Sequence, residues 1–125
     1  MSLPRVLLVE DFPIVLDTIE LTLKRHGMTP DVAMNGSDAW DMIQYQEYAL
    51  LIADLVLPGL NGIELIRRAR EKSPEMRILA ISGQDQRLLD EARAAGADYV
   101  LQKPFSVEEI FNTIEAVSAP LDEQV

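Results

Sequence analysis

Residues 50–54, Leu-Leu-Ile-Ala-Asp, decide the fold of this 125-residue chain. The four apolar residues form a short run of the kind found in a strand that is buried on both faces, as in a parallel sheet. Asp54 ends the run, and open α/β sheets carry their chemistry at the carboxyl ends of their strands. The stretch therefore predicts both a buried parallel strand and a functional carboxylate at its end.

Other polar residues stand at the ends of similar runs. Glu10 and Asp11 follow the first apolar run of the chain, and Ser82 follows the fourth. Lys103 comes shortly after the fifth. Three acids and one lysine at the same kind of strand end indicate one site that is built from distant parts of the chain.

Strand-like runs alternate with helix-like segments from end to end, which predicts the α/β class: a doubly wound parallel sheet of five strands with helices on both faces. Right-handed crossovers then bring all strand carboxyl ends to one edge. We expect a single domain over residues 4–118 and an irregular C-terminal tail over residues 119–125. Strands are predicted at Val6–Val9, Thr29–Ala33, Leu50–Ala53, Arg77–Ile81 and Tyr99–Leu101, and helices at Phe12–His26, Ser37–Gln46, Gly62–Glu71, Gln86–Ala95 and Val107–Val117.

Local signals agree with these boundaries. Pro13 suits the first turn of a helix, where an amide proton would lack a helical partner. Gly27 can end that helix in a left-handed conformation. Ser106 and Glu109 have the spacing of a capping box, which predicts the start of the last helix.

Composition excludes several classes of protein. A net charge of −10 argues against direct nucleic-acid binding, which needs a basic face. The one basic cluster is interpreted as the solvated face of a helix; it comprises Arg67, Arg68, Arg70 and Lys72. The sequence has no run of about 18 apolar residues, so it predicts no membrane span. No signal peptide is visible. The absence of cysteine excludes disulfides and agrees with a cytoplasmic location.

Taken in order, Glu10-Asp11, Asp54, Ser82 and Lys103 resemble the site of response regulator receiver domains, the CheY-like domains of two-component signalling. Three segments extend the likeness over nearly the whole chain. They are residues 54–62, similar to the family's phosphoacceptor loop; residues 103–105, similar to its lysine–proline signature; and residues 33–39, similar to the segment that enters its second helix.

The resemblance implies a flavodoxin-like fold with strand order 2-1-3-4-5. It also implies a signalling domain whose only catalysis is its own phosphorylation and dephosphorylation on Asp54. The phosphate would come from a histidine kinase or a histidine phosphotransfer protein, and the signal would pass to an unidentified downstream protein. The Lys103–Pro104 peptide is expected to be cis. Whether the chain acts alone or within a larger regulator stays open.

The residue types suit that chemistry independently of the resemblance. An aspartate can act as a nucleophile and form an aspartyl-phosphate, and carboxylates favour a hard cation such as Mg²⁺. Glu10, Asp11 and Asp54 could hold the cation, with the backbone carbonyl of Val56 as the family-style fourth ligand. Without a cation the clustered carboxylates repel, so at least one pKa should be raised.

Lys103 and Ser82 complete the candidate site. The ammonium group of Lys103 offers a compact positive charge to a phosphoryl oxygen. The hydroxyl of Ser82 can donate to another phosphoryl oxygen.

One position departs from the family pattern. Receiver domains usually carry an aromatic residue three positions before the signature lysine, where it moves inward after phosphorylation, but here that residue is Val100. Tyr99 is adjacent, yet neighbouring strand residues face opposite sides of a sheet. The departure leaves the predicted chemistry intact and changes the expected output mechanism.

Alternative interpretations remain at this point. Singly, each residue has a simpler interpretation: Glu10-Asp11 as the acidic start of a helix, Asp54 as a turn or cap residue, Ser82 as a small strand-end residue and Lys103 as a surface lysine. A degenerate receiver could serve only as a protein-interaction module. An aspartate-nucleophile phosphatase of the dehalogenase type is another alternative. That class has a second aspartate two residues after its nucleophile, whereas this chain has Val56 at that position. A flavodoxin-like cofactor binder would need a Ser/Thr/Gly-rich loop after the first strand, where Glu10-Asp11-Phe12 stands.

Overall fold

A computed structural model describes residues 4–83 and 85–122 of the chain. It contains five strands and five helices in strict alternation over this part of the sequence. The strands are β1 Val6–Val9, β2 Asp31–Ala33, β3 Leu50–Asp54, β4 Arg77–Ser82 and β5 Tyr99–Gln102. The helices are α1 Pro13–Arg25, α2 Gly36–Tyr45, α3 Gly62–Lys72, α4 Gln86–Ala95 and α5 Val107–Asp122.

All strands are parallel and lie in the order β2-β1-β3-β4-β5. This confirms the doubly wound sheet and the strand order that the family resemblance implies. β3 is the central strand, with β1 on one side and β4 on the other. Its last residue, Asp54, therefore lies in the middle of the carboxyl edge of the sheet.

The alternation of side chains along the strands divides the core into two layers. Leu7, Val9, Leu51 and Ala53 contribute to the layer under α2, α3 and α4. The intervening strand residues face the layer under α1 and α5, together with Ile110, Ile114 and Val117 of α5. Because both faces of β1 and β3 are buried, these strands are almost wholly apolar, as a parallel sheet requires.

The predicted helix signals lie at the helix ends. Pro13 is the first residue of α1, and Gly27 follows that helix with φ +80°. At the start of α5 the Glu109 backbone N–H donates to Ser106 Oγ at 3.0 Å, and the Ser106 backbone N–H donates to Glu109 Oε1 at 3.1 Å. The capping box is therefore formed from both sides.

Most predicted boundaries agree with the structure to within one residue, and two differ by more. β2 begins at Asp31 rather than Thr29, since Pro30 has no amide proton to donate to the ladder with β1. α5 continues to Asp122 instead of ending at Val117. Val117 and Ser118 are both buried, so packing holds the helix beyond the predicted end. The first residues of the predicted tail are thus helical, and residues 123–125 lie outside the described residues.

Within residues 4–83 and 85–122, no helix is both long and apolar enough to cross a bilayer.

Candidate phosphoacceptor site

The carboxyl edge of the sheet gathers the polar residues that the sequence singles out. Glu10 and Asp11 follow β1 directly, and Asp54 is the last residue of β3. Ser82 is the last residue of β4, and Lys103 follows β5 without a gap. Because the strands are parallel, these four ends lie at one edge, and the predicted convergence is confirmed.

Three carboxylates form the centre of the site. One carboxylate oxygen each from Glu10, Asp11 and Asp54 lies within 4.8 Å of the other two. Glu10 is fully buried and Asp54 is 5% exposed, whereas Asp11 is exposed. The backbone N–H of Glu10 donates to the carbonyl of Ala33 at the end of β2, so the position of Glu10 is fixed by the sheet.

Lys103 pairs with two of the three carboxylates. Its Nζ lies 2.6 Å from Asp54 Oδ2 and 3.2 Å from Glu10 Oε1. The backbone N–H of Lys103 donates to the carbonyl of Ser82 at 2.6 Å, which ties the end of β5 to the end of β4. The Lys103–Pro104 peptide bond is cis, as expected.

The pKa values reflect this crowding. Burial raises the pKa of Glu10 to about 7, and the neighbouring Asp54 adds to the shift, although Lys103 opposes it. Burial disfavours the charge of Lys103, but the hydrogen bond and the negative charge of Asp54, together with Glu10, outweigh burial and raise the pKa of the ammonium. The predicted direction of the pKa shift is confirmed for Glu10, but its largest cause is burial rather than repulsion between the carboxylates.

Two buried polar atoms of the site have no hydrogen-bond partner among the described residues: Glu10 Oε2 and Ser82 Oγ. Ser82 is only 1% exposed, so bulk water does not readily supply the missing hydrogen bond to its hydroxyl. A buried polar group without a hydrogen bond costs free energy. Both atoms have capacity for a ligand. An unused carboxylate oxygen beside two other carboxylates fits a hard divalent cation with oxygen ligands such as Mg²⁺.

The loop after Asp54 is held close to the site. The backbone N–H of Val56 donates to Asp54 Oδ1 at 2.9 Å, which orients the carboxylate and places the Val56 backbone beside it. The backbone N–H of Gly62 donates to the Leu55 carbonyl and closes the loop. A Cβ at position 62 would collide with the Asp54 carbonyl oxygen and the Leu55 backbone, so only glycine fits there.

The sequence alone does not distinguish the roles of the two adjacent acids. The structure separates them, because Glu10 is buried against Lys103 while Asp11 is exposed and only approaches the other carboxylates. A single apolar run followed by Glu-Asp carries no signal that tells which acid points inward.

The residues of β5 face the two sides that the alternation predicts. Val100 packs against the layer under α2, α3 and α4. Tyr99 packs against the layer under α1 and α5. The ring of Tyr99 therefore lies on the opposite face of the sheet from Val100.

The basic cluster of α3 is occupied by contacts within the domain. Arg67 and Arg68 face solvent and pair with Glu64, and Arg68 also lies 5.7 Å from the centre of the Trp40 ring. Lys72 donates to the carbonyl of Ile43 at 2.7 Å. These contacts support the solvated-face interpretation for Arg67 and Arg68.

Arg70 departs from that interpretation, because its guanidinium turns inward. It donates to the carbonyls of Pro74, Met76 and Gly96 and to the carboxylate of Asp98. The sequence does not predict this network, since most of its acceptors are backbone oxygens that any residue would carry.

Comparison with known proteins agrees with the geometry. A family model for the response regulator receiver domain matches residues 6–115. The fold is similar to that of a candidate response regulator from Chloroflexus aurantiacus J-10-fl, with 29% identity, a TM-score of 0.85 and coverage of 94% of this chain and 99% of that one.

Two further solved structures are similar. A CheY-like response regulator receiver domain protein from Methanospirillum hungatei JF-1 is 27% identical, with a TM-score of 0.85 and coverage of 98% of this chain and 97% of that one. The chemotaxis response regulator CheY4 of Vibrio cholerae is 25% identical, with a TM-score of 0.82 and coverage of 93% and 99%.

Proposed function

The chain belongs to the response regulator receiver domain family, and we propose that it accepts a phosphoryl group on Asp54 and signals through protein contacts. Receiver domains are signalling domains rather than enzymes in the ordinary sense. The proposed donor is a phosphohistidine of a histidine kinase or of a histidine phosphotransfer protein, and the proposed recipient of the signal is a downstream protein.

One observation carries the proposal: a carboxylate at the centre of the sheet edge lies beside two further carboxylates and an ammonium group, and a buried hydroxyl lies at the end of the neighbouring strand. Asp54 lies with two further carboxylates inside 4.8 Å and with Lys103 Nζ at 2.6 Å. Ser82 supplies a buried hydroxyl that has no partner among the described residues. Phosphoryl transfer asks a protein mainly for positioning and charge neutralisation, and this site offers both.

The residues that would hold Mg²⁺ are Glu10, Asp11 and Asp54, with the backbone carbonyl of Val56 as the fourth ligand from the protein. The cation would offset part of the negative charge of the carboxylates and of the incoming phosphoryl group, and would lower the charge repulsion between nucleophile and donor. The unpartnered Glu10 Oε2 supports this assignment.

Asp54 is the nucleophile of the proposed reaction. One carboxylate oxygen of Asp54 forms a bond to phosphorus as the bond between phosphorus and the donor's imidazole nitrogen breaks. The imidazole leaves with a proton from solvent. The hydrogen bonds from the Val56 N–H and from Lys103 fix the orientation of the Asp54 carboxylate before the reaction.

Lys103 and Ser82 would bind the product. The ammonium group of Lys103 can transfer from the free carboxylate to a phosphoryl oxygen, because phosphate oxygens are stronger acceptors that carry more charge. The Ser82 hydroxyl can donate to a second phosphoryl oxygen and so satisfy its unused hydrogen-bonding capacity.

Intact mass tests the proposal. Incubation with acetyl phosphate and Mg²⁺ should add one phosphoryl group to the wild type and none to Asp54→Ala, while Asp17→Ala, which removes an exposed acid on α1, should react like the wild type. Modification of Asp54→Ala at the wild-type level would refute the assignment. An unmodified wild type would instead favour the alternative of an interaction module that is not phosphorylated.

A further inference from the structure

The loop that follows Asp54 has a second attachment, to the first turn of α2. The backbone N–H of Gly36 donates to the carbonyl of Pro58 at 3.1 Å. The backbone N–H of Leu60 donates to Ser37 Oγ at 3.3 Å. The sequence marks residues 33–39 only as the segment that enters α2. In the structure, two residues of this segment, Gly36 and Ser37, also contact the loop that follows Asp54.

The approach between the two segments is close enough to need a glycine. A Cβ at position 36 would collide with the carbonyl oxygen and carbon of Leu60. The atoms in the way are backbone atoms, so they cannot move aside by a rotamer change. The contact of Gly36 with the loop is the tighter of the two contacts, because Gly36 is buried and leaves no room for a Cβ. The hydrogen bond from Leu60 to Ser37 is long and exposed.

The loop is thus held at two places. At its base, Leu55 donates its N–H to the Ile81 carbonyl and Gly62 donates to the Leu55 carbonyl. At its tip, residues 58–60 contact residues 36–37 of α2. Val56, whose N–H orients Asp54 and whose carbonyl is the proposed fourth ligand, lies between these two anchors.

We infer that Gly36, with Ser37 in a smaller role, is a positioning residue for the phosphoacceptor loop: the α2 contact fixes the Val56 backbone at the distance that cation binding and Asp54 orientation require. This inference rests on the proposed function. The rival explanation is that the buried side chains of Leu55 and Leu57 hold the loop by themselves, in which case the α2 contact contributes only to stability.

The main test compares Gly36→Ala with Gly27→Ala in the full chain. Gly27 has φ +80°, and a Cβ added there would meet no atom of the described residues within 4 Å, so its substitution strains the backbone without touching the loop. Both variants should lower the melting temperature. Mg²⁺ affinity by calorimetry should fall roughly tenfold or more in Gly36→Ala, as for a misplaced ligand, and should stay within about twofold of the wild type in Gly27→Ala.

Ser37→Ala provides a milder variant that should fold even if Gly36→Ala does not. Loss of one neutral hydrogen bond predicts a change in Mg²⁺ affinity of roughly two- to threefold. Thr113→Ala is the control, since the Thr113 hydroxyl donates within α5, to the carbonyl of Glu109.

A metal-independent readout separates this inference from the proposed function. Amide hydrogen exchange at Val56 reports the hydrogen bond to Asp54 Oδ1, and it should accelerate in Gly36→Ala and Ser37→Ala but not in the two controls. Wild-type exchange at Val56 and wild-type Mg²⁺ affinity in both α2 variants would overturn the inference. A wild-type chain that binds no Mg²⁺ would count against the proposed function, and the exchange rates would then decide the positioning role alone.

Discussion

Lys103 Nζ lies 2.6 Å from Asp54 Oδ2 and 3.2 Å from Glu10 Oε1, so one ammonium group joins two carboxylates from different strands. The pair Lys103–Asp54 spans 49 residues of sequence. Because Lys103 occupies the space between the carboxylates, it both compensates the charge of the metal-free site and repels an incoming cation. This dual role leads to the first prediction.

Lys103→Ala should separate metal binding from phosphorylation. Removal of a positive charge next to the carboxylates should raise Mg²⁺ affinity by several-fold, whereas phosphorylation by acetyl phosphate should slow by roughly tenfold or more through loss of a phosphoryl-oxygen partner. Calorimetry and intact mass measure the two effects. Lys24→Ala is the control, since the ammonium group of Lys24 makes a surface contact with Glu20 within α1, away from the site. Equal loss of both activities would contradict the prediction.

Asp11→Asn should weaken Mg²⁺ binding by at least about tenfold, because it removes a negative ligand from a hard-cation site. Asp11 is exposed, so the melting temperature of the metal-free domain should change little. Asp17→Asn makes the same charge change on an exposed residue of α1 and should leave Mg²⁺ affinity near the wild-type value. Unchanged affinity in Asp11→Asn would remove Asp11 from the site.

The stability of the metal-free domain should fall as the pH rises through the window set by Glu10. Its pKa is raised from 4.5 to about 7 by burial in the folded state, so between these values the folded state binds a proton that the unfolded state has released. We therefore compare the free energy of unfolding of the wild type with that of Glu10→Gln at each pH. The difference between the two proteins should shift against the wild type by on the order of 3 kcal/mol as the pH rises from 4.5 to above 7.

Urea unfolding in the presence of a chelator, at several pH values, measures this difference. Subtracting the values for Glu10→Gln removes the contributions of the other carboxylates. Saturating Mg²⁺ should restore stability to the wild type above pH 7, since a ligand that binds only the folded state stabilises it. A pH-independent difference between the two proteins would show that Glu10 does not titrate in this window.

Phosphorylation should be transmitted mainly through the loop after Ser82 and the start of α4. Val100 is too small to fill the space that the Ser82 hydroxyl leaves, and Tyr99 packs on the other face of the sheet. With a beryllofluoride mimic of the phosphoryl group, amide chemical shifts should change strongly at Gly83 and residues 85–89 and weakly in β5. A large rearrangement of the Tyr99 ring would show that this residue has taken over the switch.

Arg70→Lys should destabilise the domain although it keeps the charge. The five hydrogen bonds of the Arg70 guanidinium join the end of α3 to the turn before β4 and to Gly96 and Asp98. A lysine ammonium cannot span these acceptors, so a loss of roughly 2 kcal/mol or more in the free energy of unfolding is expected. Arg67→Lys, on the exposed face of α3, should cost less than about 0.5 kcal/mol. Equal effects in urea unfolding would refute the role of the network.

Short-range pattern determined most of the fold. The apolar runs predict the strands, and Pro13, Gly27 and the pair Ser106–Glu109 mark helix ends, because caps and turns depend on residues within one turn of each other. Of the two larger boundary errors, the extension of α5 has a nonlocal cause, because it depends on the burial of Val117 and Ser118. The late start of β2 has a local cause, since Pro30 cannot donate an amide proton to the ladder with β1.

The sequence by itself also determined which side chains reach the site, because each stands at the end of a parallel strand and all such ends share one edge. Tertiary structure alone decided the distances: the burial of Glu10 against the exposure of Asp11, the bridge from Lys103, and the contact of Gly36 with the loop carbonyls. These depend on strand order and on the packing of segments far apart in sequence. The spacing of residues along the sequence does not encode these contacts. Each contact depends on a balance of free energies among groups that meet only after the chain has folded.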